Sequence, residues 1–309
     1  MMSDLATDNQ DANKGACVCL LNGAARSNAA EGHRDQLTKI FAAQGSDTRI
    51  ITPTRGDIEA AIRRALDSGC RRIIAAGGDG TVHAVANALV GTTAALAVLP
   101  LGTLNHFALD LGIPLELEAA VHVALTGNVR NVDVGEVNGR VFVNNSSIGL
   151  YPRIVREREA LQRQGESKLR ALARATVGVF RRSKALRLHM RYSGKSLQTL
   201  SDFVFIGNNE YQFSAGRVTG RPRLDGGALS VWQVPHAGRL RAVAAAVAAL
   251  LGMQPKSPLA FSTDELVLEP RAKRLLVAMD GEAMEMEAPL TYCVRPGALR
   301  VIVPSETSG

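Results

Sequence analysis

The sequence predicts an α/β N-terminal domain with a parallel sheet, followed by a β-rich C-terminal domain. Three observations carry this expectation. Short apolar runs alternate with helical patterns as far as Gly112, the order expected of successive βαβ units. Two of those runs end in glycine turns that open helices, Ala75-Ala76-Gly77-Gly78-Asp79-Gly80-Thr81 and Leu101-Gly102-Thr103-Leu104-Asn105-His106. Past residue 130 the pattern becomes alternating strands around Asn138-Gly139 and Ser193-Gly194, both two-residue hairpin signals.

In chain order, residues 1–14 are polar and lack an apolar core. They read as a disordered tail and not as a signal peptide. Ala16-Cys17-Val18-Cys19-Leu20-Leu21 is the first strand, and Asn22-Gly23-Ala24-Ala25-Arg26 the turn after it. A helix is expected over 31–44, a short strand over 48–52 ending at Thr52, and a helix from Asp57 to about Ser68. Arg71 to Ala76 form a buried strand, and Val82 to Leu89 a helix with Gly91 as its C-cap. Residues 94–100 are another buried strand, and 114–127 another helix. Strands are then expected at 132–137, 140–145, 185–192, 196–206, 228–234, 264–269, 273–279, 290–294 and 299–303. One alanine-rich helix, 238–252, interrupts them. The domain boundaries follow: 1–14 tail, 15–130 first domain, 131–303 second, with the last strand able to return to the first.

Composition narrows the function. Of 309 residues, 46% are hydrophobic and 21% charged, which suits a globular protein that buries its own core. Aromatics at 4% are too sparse for a single-stranded nucleic-acid stacking platform, and no reading motif for nucleic acid is present. The formal charge of +7 suggests an anionic partner. It is concentrated: residues 153–187 hold eleven Lys or Arg against three Glu, a net +8, with Arg217, Arg221 and Arg223 following. Leu161, Leu169, Leu172, Val177, Val179 and Phe180 are interspersed. Two readings stay open for this segment: docking on anionic lipid, or a solvated helix pair with its apolar residues inside. Four cysteines, Cys17, Cys19, Cys70 and Cys293, show no metal spacing and read as buried thiols in a reducing compartment. The longest apolar run, 242–253, is too short to span a bilayer.

The glycine turns carry the chemistry. A strand that becomes a helix presents unpaired N–H groups and a positive dipole end to an anion. Glycine permits tight-turn dihedrals and close approach of a phosphate. Gly77, Gly78, Gly80 and Thr81 form the expected cradle, with Gly102, Thr103 and Asn105 as a second wall. The bland alternative is a turn with Asp79 as N-cap. A carboxylate beside phosphates calls for a cation between them, and Mg²⁺ is the natural one. Adjacent parallel strands end on one sheet edge, where ligands bind, so the second turn favours nucleotide binding.

The pair Gly77-Gly78-Asp79-Gly80-Thr81 and Gly102-Thr103-Leu104-Asn105-His106-Phe107-Ala108 resembles the diacylglycerol kinase catalytic domain family, bacterial lipid kinases related to sphingosine and ceramide kinases. The resemblance covers roughly residues 16–303. It implies an NAD kinase/diacylglycerol kinase-like first domain and a C-terminal β-sandwich lipid-binding domain, with the reaction in a cleft between them. It also implies ATP and Mg²⁺ as cofactors. Asn22 matches the first residue of the family's ATP-contacting turn, whose proline and last glycine are absent here, and Thr52 sits at a nucleotide-contacting threonine. Asp280-Gly281-Glu282 matches the family's Asp-Gly-Glu turn, which supplies the general base; either carboxylate can be that base. The run 144–149, Asn-Asn-Ser-Ser-Ile-Gly, resembles a segment lining the cleft, with a polar loop as the alternative, and Asp133 matches an acidic position at the domain junction. Two departures stand out. His106 replaces a family aspartate. Leu224-Asp225-Gly226-Gly227 has one carboxylate where a structural Mg²⁺ site has two, leaving Asp225 as the only candidate metal ligand.

The expectation is therefore an ATP-dependent lipid kinase that phosphorylates a hydroxyl of a diacylglycerol-like or sphingoid lipid, in lipid metabolism and phospholipid biosynthesis. A cytoplasmic place, peripheral on the inner membrane face through anionic lipids, goes with it. No nucleic-acid partner is expected, and a homodimer is compatible with the sequence. The alternatives are a kinase of a soluble acceptor such as NAD, and a lipid- or nucleotide-binding regulator that has lost catalysis.

Overall fold

The structure, a computed structural model, describes residues 17–22, 28–54, 57–182, 185–214, 217–236 and 259–305. The expected tail, residues 23–26 of the first turn and the alanine-rich helix at 238–252 lie outside the described residues, as do the side chains of Phe180 and Arg217. The chain divides into two compact units. The first holds the described residues up to Val132 and those from Gly297 onward, and the second holds Asp133–Pro296.

The first unit is α/β. Its strands are β1 (Cys17–Leu21), β2 (Arg49–Ile51), β3 (Arg72–Gly77) and β4 (Ala95–Pro100). Its helices are α1 (Asn28–Ala43), α2 (Ile58–Asp67), α3 (Asp79–Leu89), α4 (His106–Asp110) and α5 (Leu117–Thr126). The strands are parallel in the order β2-β1-β3-β4, and Val301 of β17 (Leu290–Val303) adds a parallel pairing to Leu96. Every residue of β3 and β4 is buried, as central parallel strands covered on both faces require. Helix α3 buries Val82, Val85, Ala86 and Leu89 at i, i+3, i+4 and i+7. Helix α5 is closed at both ends. The Glu116 carboxylate accepts the amides of Glu118 and Ala119, and the buried Arg72 donates to the carbonyls of Ala124, at 2.7 Å, and Leu125.

Register decides where a ligand meets this sheet. Leu21, Ala76 and Leu99 lie side by side, so β1, β3 and β4 finish together at one edge. The chain leaves β1 for β2 on one side and returns to β3 on the other. That reversal opens a crevice beyond the carboxyl ends of β1 and β3.

The second unit is antiparallel and β-rich. Its strands are β6 (Arg140–Phe142), β7 (Asn145–Gly149), β8 (Leu186–Tyr192), β9 (Lys195–Asn208), β10 (Gln212–Ser214), β11 (Arg217–Gly220), β12 (Leu229–Pro235), β13 (Leu259–Thr263), β14 (Glu265–Pro270), β15 (Arg274–Met279) and β16 (Glu282–Glu287), joined by the ends of β5 (Asn128–Val137) and β17. The 14-residue β9 is the hub, pairing with β8, β7 and β12. Phe142, Ile148, Val204, Ile206, Val277 and Tyr292 are central to its core. Both expected hairpins form, with left-handed φ at Asn138, Gly139, Ser193 and Gly194.

Two sequence expectations change here. Strands expected at 290–294 and 299–303 are one strand, β17. The polar run 144–149 is not a loop, since Asn145–Gly149 is β7 with only Asn145 short of full burial. Strands β15 and β9 supply ladder bonds to its backbone on both sides, and the Ser146 hydroxyl pairs with that of Tyr292 at 3.2 Å. The segment 153–187 contains a helix pair, α6 (Leu150–Arg163) and α7 (Lys168–Arg182). Among the described residues, no helix is long and apolar enough to cross a membrane.

Candidate active site

At the carboxyl edge of the first unit the structure gathers the residues expected to meet a nucleotide. Asn22 follows β1, and its amide donates to the Ala76 carbonyl at 3.0 Å. Thr52 follows β2 and accepts from the Arg34 guanidinium at 3.4 Å. Gly77 ends β3, and Asp79, Gly80 and Thr81 form the first turn of α3. The N-cap is Gly78, which corrects the reading of Asp79 as the cap. Gly102, Thr103 and Asn105 connect β4 to α4.

The glycines are required for space and not for dihedral freedom. Gly77, Gly78 and Gly102 are absent from the left-handed φ region, contrary to the expectation of special turn dihedrals. A Cβ on Gly102 would stand 2.5 Å from the Gly78 Cα, and one on Gly77 would stand 2.4 Å from Thr81 Oγ1. The two turns therefore touch backbone to backbone. Asn105 does occupy the left-handed region, at φ 51°, which asparagine tolerates. Its Oδ1 accepts the Gly102 amide at 3.0 Å, and its Nδ2 donates to the carbonyls of Gly102 at 3.0 Å and Pro100 at 3.4 Å. Asn105 thus holds the second turn in shape.

Asp79 stands apart from these. By helix geometry the amides of Asp79 and Gly80 have no intrahelical acceptor, so they face the crevice with the positive end of α3. Asp79 Oδ1 is buried, and no described residue bonds it. Its Oδ2 lies 3.5 Å from His106 Nδ1, on an imidazole that is 61% exposed. A buried carboxylate oxygen without a donor is costly, and a cation at that oxygen would remove the cost.

The second unit builds a different arrangement around Asp280. Asp280 and Gly281 form the turn between β15 and β16, with φ of 45° and 86°. Asp280 is buried. Its Oδ2 accepts the Val143 amide at 2.8 Å, and its Oδ1 accepts the amides of Asn144 at 2.8 Å and Asn145 at 3.0 Å. Its own amide donates to the Asn145 carbonyl at 2.9 Å. The same stretch is gripped elsewhere by Arg221. That guanidinium donates to the carbonyls of Val143 at 2.6 Å and Asn208 at 3.1 Å and to Asn144 Oδ1 at 2.8 Å. The Tyr211 hydroxyl adds a bond to the Asn144 carbonyl at 2.9 Å. Arg221 is 5% exposed, which corrects its assignment to a basic surface. Glu282 opens β16 and is half-buried.

The chain as a whole is similar to known proteins. The family model for the diacylglycerol kinase catalytic domain matches residues 16–137. A protein of Pseudomonas aeruginosa named probable lipid kinase YegS-like is 34% identical over 267 residues, 82% of this chain and 84% of the relative. One of the same name from Pseudomonas syringae pv. tomato is 30% identical over 265 residues, 83% of this chain and 84% of the relative. The chain belongs to the YegS-like lipid kinase family. The fold agrees: a solved diacylglycerol kinase from Bacillus anthracis str. Sterne superposes with a TM-score of 0.68 at 21% identity, over 94% of this chain and 97% of that one.

For a kinase of this family, the donor sets decide where a divalent cation fits. Asp79 fits, because its buried Oδ1 lacks a donor among the described residues at the first turn of α3. Asp225 does not fit a resident site. Its carboxylate is half exposed and taken by Arg223 at 3.1 Å, and no cluster of three His, Cys, Asp or Glu suited to a metal lies among the described residues. The loop it sits in is closed by protein groups: Asp133 Oδ2 accepts the Gly227 amide at 2.7 Å, and Asn209 Oδ1 accepts the Gly226 amide at 2.7 Å. Sequence reasoning passed over Asn208, Asn209 and Tyr211. The doublet Asn208-Asn209 at the end of an apolar strand was the available signal, since buried asparagines need many partners.

Proposed function

We propose that this kinase transfers the γ-phosphate of ATP to a hydroxyl of a diacylglycerol-like or sphingoid lipid. The observation that carries the reading is the orphaned oxygen of Asp79 at the first turn of α3, where the glycine turns after β3 and β4 meet at the carboxyl edge of the sheet. The amides of Asp79 and Gly80 orient the phosphates, and Gly102, Thr103 and Asn105 wall the other side. Asn22 and Thr52, at the ends of β1 and β2, bound the nucleotide. Asp79 would hold a Mg²⁺ brought with ATP, and that cation would neutralise charge on the phosphates.

The acceptor oxygen forms a bond to the γ-phosphorus as the bond to the ADP oxygen breaks, and the hydroxyl proton passes to a carboxylate. Glu282 suits that role better than Asp280. The lone pairs of Asp280 are engaged by three backbone amides, so it holds residues 143–145 in place. Asp133, which closes the Gly227 loop, supports the same unit from within.

The test is transfer from γ-labelled ATP to mixed micelles containing diacylglycerol or sphingosine. Label in the lipid fraction, lost in Asp79→Ala and Glu282→Gln, supports the reading. Nucleotide binding with no labelled lipid of either class overturns it. A second reading, nucleotide binding without turnover, is favoured by His106 beside Asp79, where it can pair with the carboxylate a cation needs. Transfer gained only in His106→Asp would establish that one.

A further inference from the structure

Strands β8, β9 and β14 bury one face through Leu188, Met190, Leu266 and Leu268 and turn the other to solvent. Register assembles four polar side chains on the solvent side. Glu269 lies directly across from His189, and Ser196 directly across from Arg191. Residues two apart on a strand share a face, so His189 and Arg191 bring all four together. His189 and Glu269 are 80 positions apart in the chain. The tight hairpin at Ser193-Gly194 fixes the register of Ser196 against β8.

The bonds among them run in one direction. His189 Nδ1 lies 2.8 Å from Glu269 Oε2, and His189 Nε2 lies 2.7 Å from Ser196 Oγ. An ionised carboxylate only accepts, so Nδ1 carries the proton. In the neutral ring Nε2 is then an acceptor, and the Ser196 hydroxyl donates to it. The His189 bond and Arg191 both favour the ionised form of Glu269. Arg191 bonds the second carboxylate oxygen, Oε1, at 2.8 Å. Ser196 is exposed, and the His189 side chain is 34% exposed, so a ligand can reach both. Hydroxyl, imidazole base and orienting carboxylate in this order are what activates a serine.

We infer that Ser196 is a nucleophile toward short-chain carboxylic esters, with His189 as its general base and Glu269 as the positioning residue. The site lies on an exposed sheet face, which suits a small acyl group. Ser196 Oγ bonds to the acyl carbon as its proton passes to His189 Nε2. The bond from that carbon to the alcohol oxygen breaks, and the alcohol leaves with the proton. Water then attacks the acyl-serine, giving a proton to His189. The carboxylic acid departs, and the proton returns to Ser196 Oγ. Arg191, opposite Ser196, brings positive charge to the oxyanion that forms, since Glu269 takes only part of its five-donor fork. None of these four residues enters the phosphate transfer proposed above, so the two activities stand or fall separately.

The experiment is release of p-nitrophenol from p-nitrophenyl acetate by the full chain, with mass spectrometry of the protein quenched during turnover. The variants are Ser196→Ala, His189→Gln, Glu269→Gln and Glu269→Asp, with circular dichroism to confirm folding. Ser196→Ala and His189→Gln should each lower release at least about a hundredfold. The acetyl group should be found on Ser196. Glu269→Gln should lower kcat about tenfold or more at unchanged KM, and Glu269→Asp should recover part of that loss. Release by wild type no faster than by Ser196→Ala overturns the inference, as does acetyl carried only by another residue. Full kcat in Glu269→Gln would remove the positioning role and with it the three-residue site.

Discussion

Asp79 and Asp280 are both carboxylates beside a backbone turn, each following a buried strand, and they are used in opposite ways. Asp280 has three backbone amides on its two oxygens. Asp79 has a buried oxygen that no described residue satisfies and a histidine 3.5 Å from the other. A carboxylate with its hydrogen bonds filled contributes to stability, and one left incomplete has room for a water or a cation. Residue type and turn chemistry are similar at the two places, so the difference lies in what the surrounding chain donates.

The contrast can be broken most sharply at Asp79. Asp79→Ala should lower phosphate transfer about a hundredfold or more, as loss of one preorganised electrostatic group does. Its unfolding free energy should stay within about 1 kcal/mol of wild type, since no protein donor is stranded. Radiolabel transfer and urea denaturation measure the two effects. A large stability loss there would erase the distinction.

Asp280→Ala should instead cost about 3 kcal/mol or more, because the amides of Val143, Asn144 and Asn145 lose their buried acceptor. Asp280→Asn keeps one oxygen and should fall between. Urea unfolding of both variants checks this. An Asp280→Asn protein as stable as wild type yet without transfer would make Asp280 a chemical participant and not a clamp.

Gly102→Ala is a smaller intervention, about 1–3 kcal/mol by overpacking, because its Cβ would meet backbone at Gly78. Nucleotide affinity should fall with stability in the same samples, as the two turns separate. Thermal unfolding with and without ATP would read both.

The smallest effect is expected at a partly exposed carboxylate that already has its partners. Glu269 accepts a hydrogen bond from His189, which foremost holds its carboxyl below the ordinary value, with Arg191 assisting. A depressed acid stabilises the fold above its ordinary value near 4.5, and that contribution is lost as pH falls through the lower folded value. Glu269→Gln should therefore only flatten the acid limb of the melting temperature against pH. A shift near neutrality would mean that the pair does more than a surface contact.

Much of this fold is legible because it depends on local pattern. The apolar runs that became β3 and β4 are continuous, as both-face burial demands, and Asn138-Gly139 and Ser193-Gly194 take the left-handed dihedrals their hairpins need. The glycine turns could be placed at a strand-to-helix junction from the sequence, but the reason for their glycines could not. Gly78 and Gly102 are small because each faces the other. The polar run containing β7 was misleading since its burial depends on strands far along the chain. Arg221 counted as surface charge until Val143, Asn144 and Asn208 surrounded it.

The sequence by itself determined most element types, the change from parallel to antiparallel pairing, and the two glycine turns at strand-to-helix junctions, because periodicity and turn chemistry act over a few residues. Tertiary structure decided which carboxylate is committed to the fold and which apolar residues of α7 remain outside. Those outcomes rest on partners distant along the chain: Asp280 is bonded by amides 135 to 137 positions away, and no local rule reaches that far.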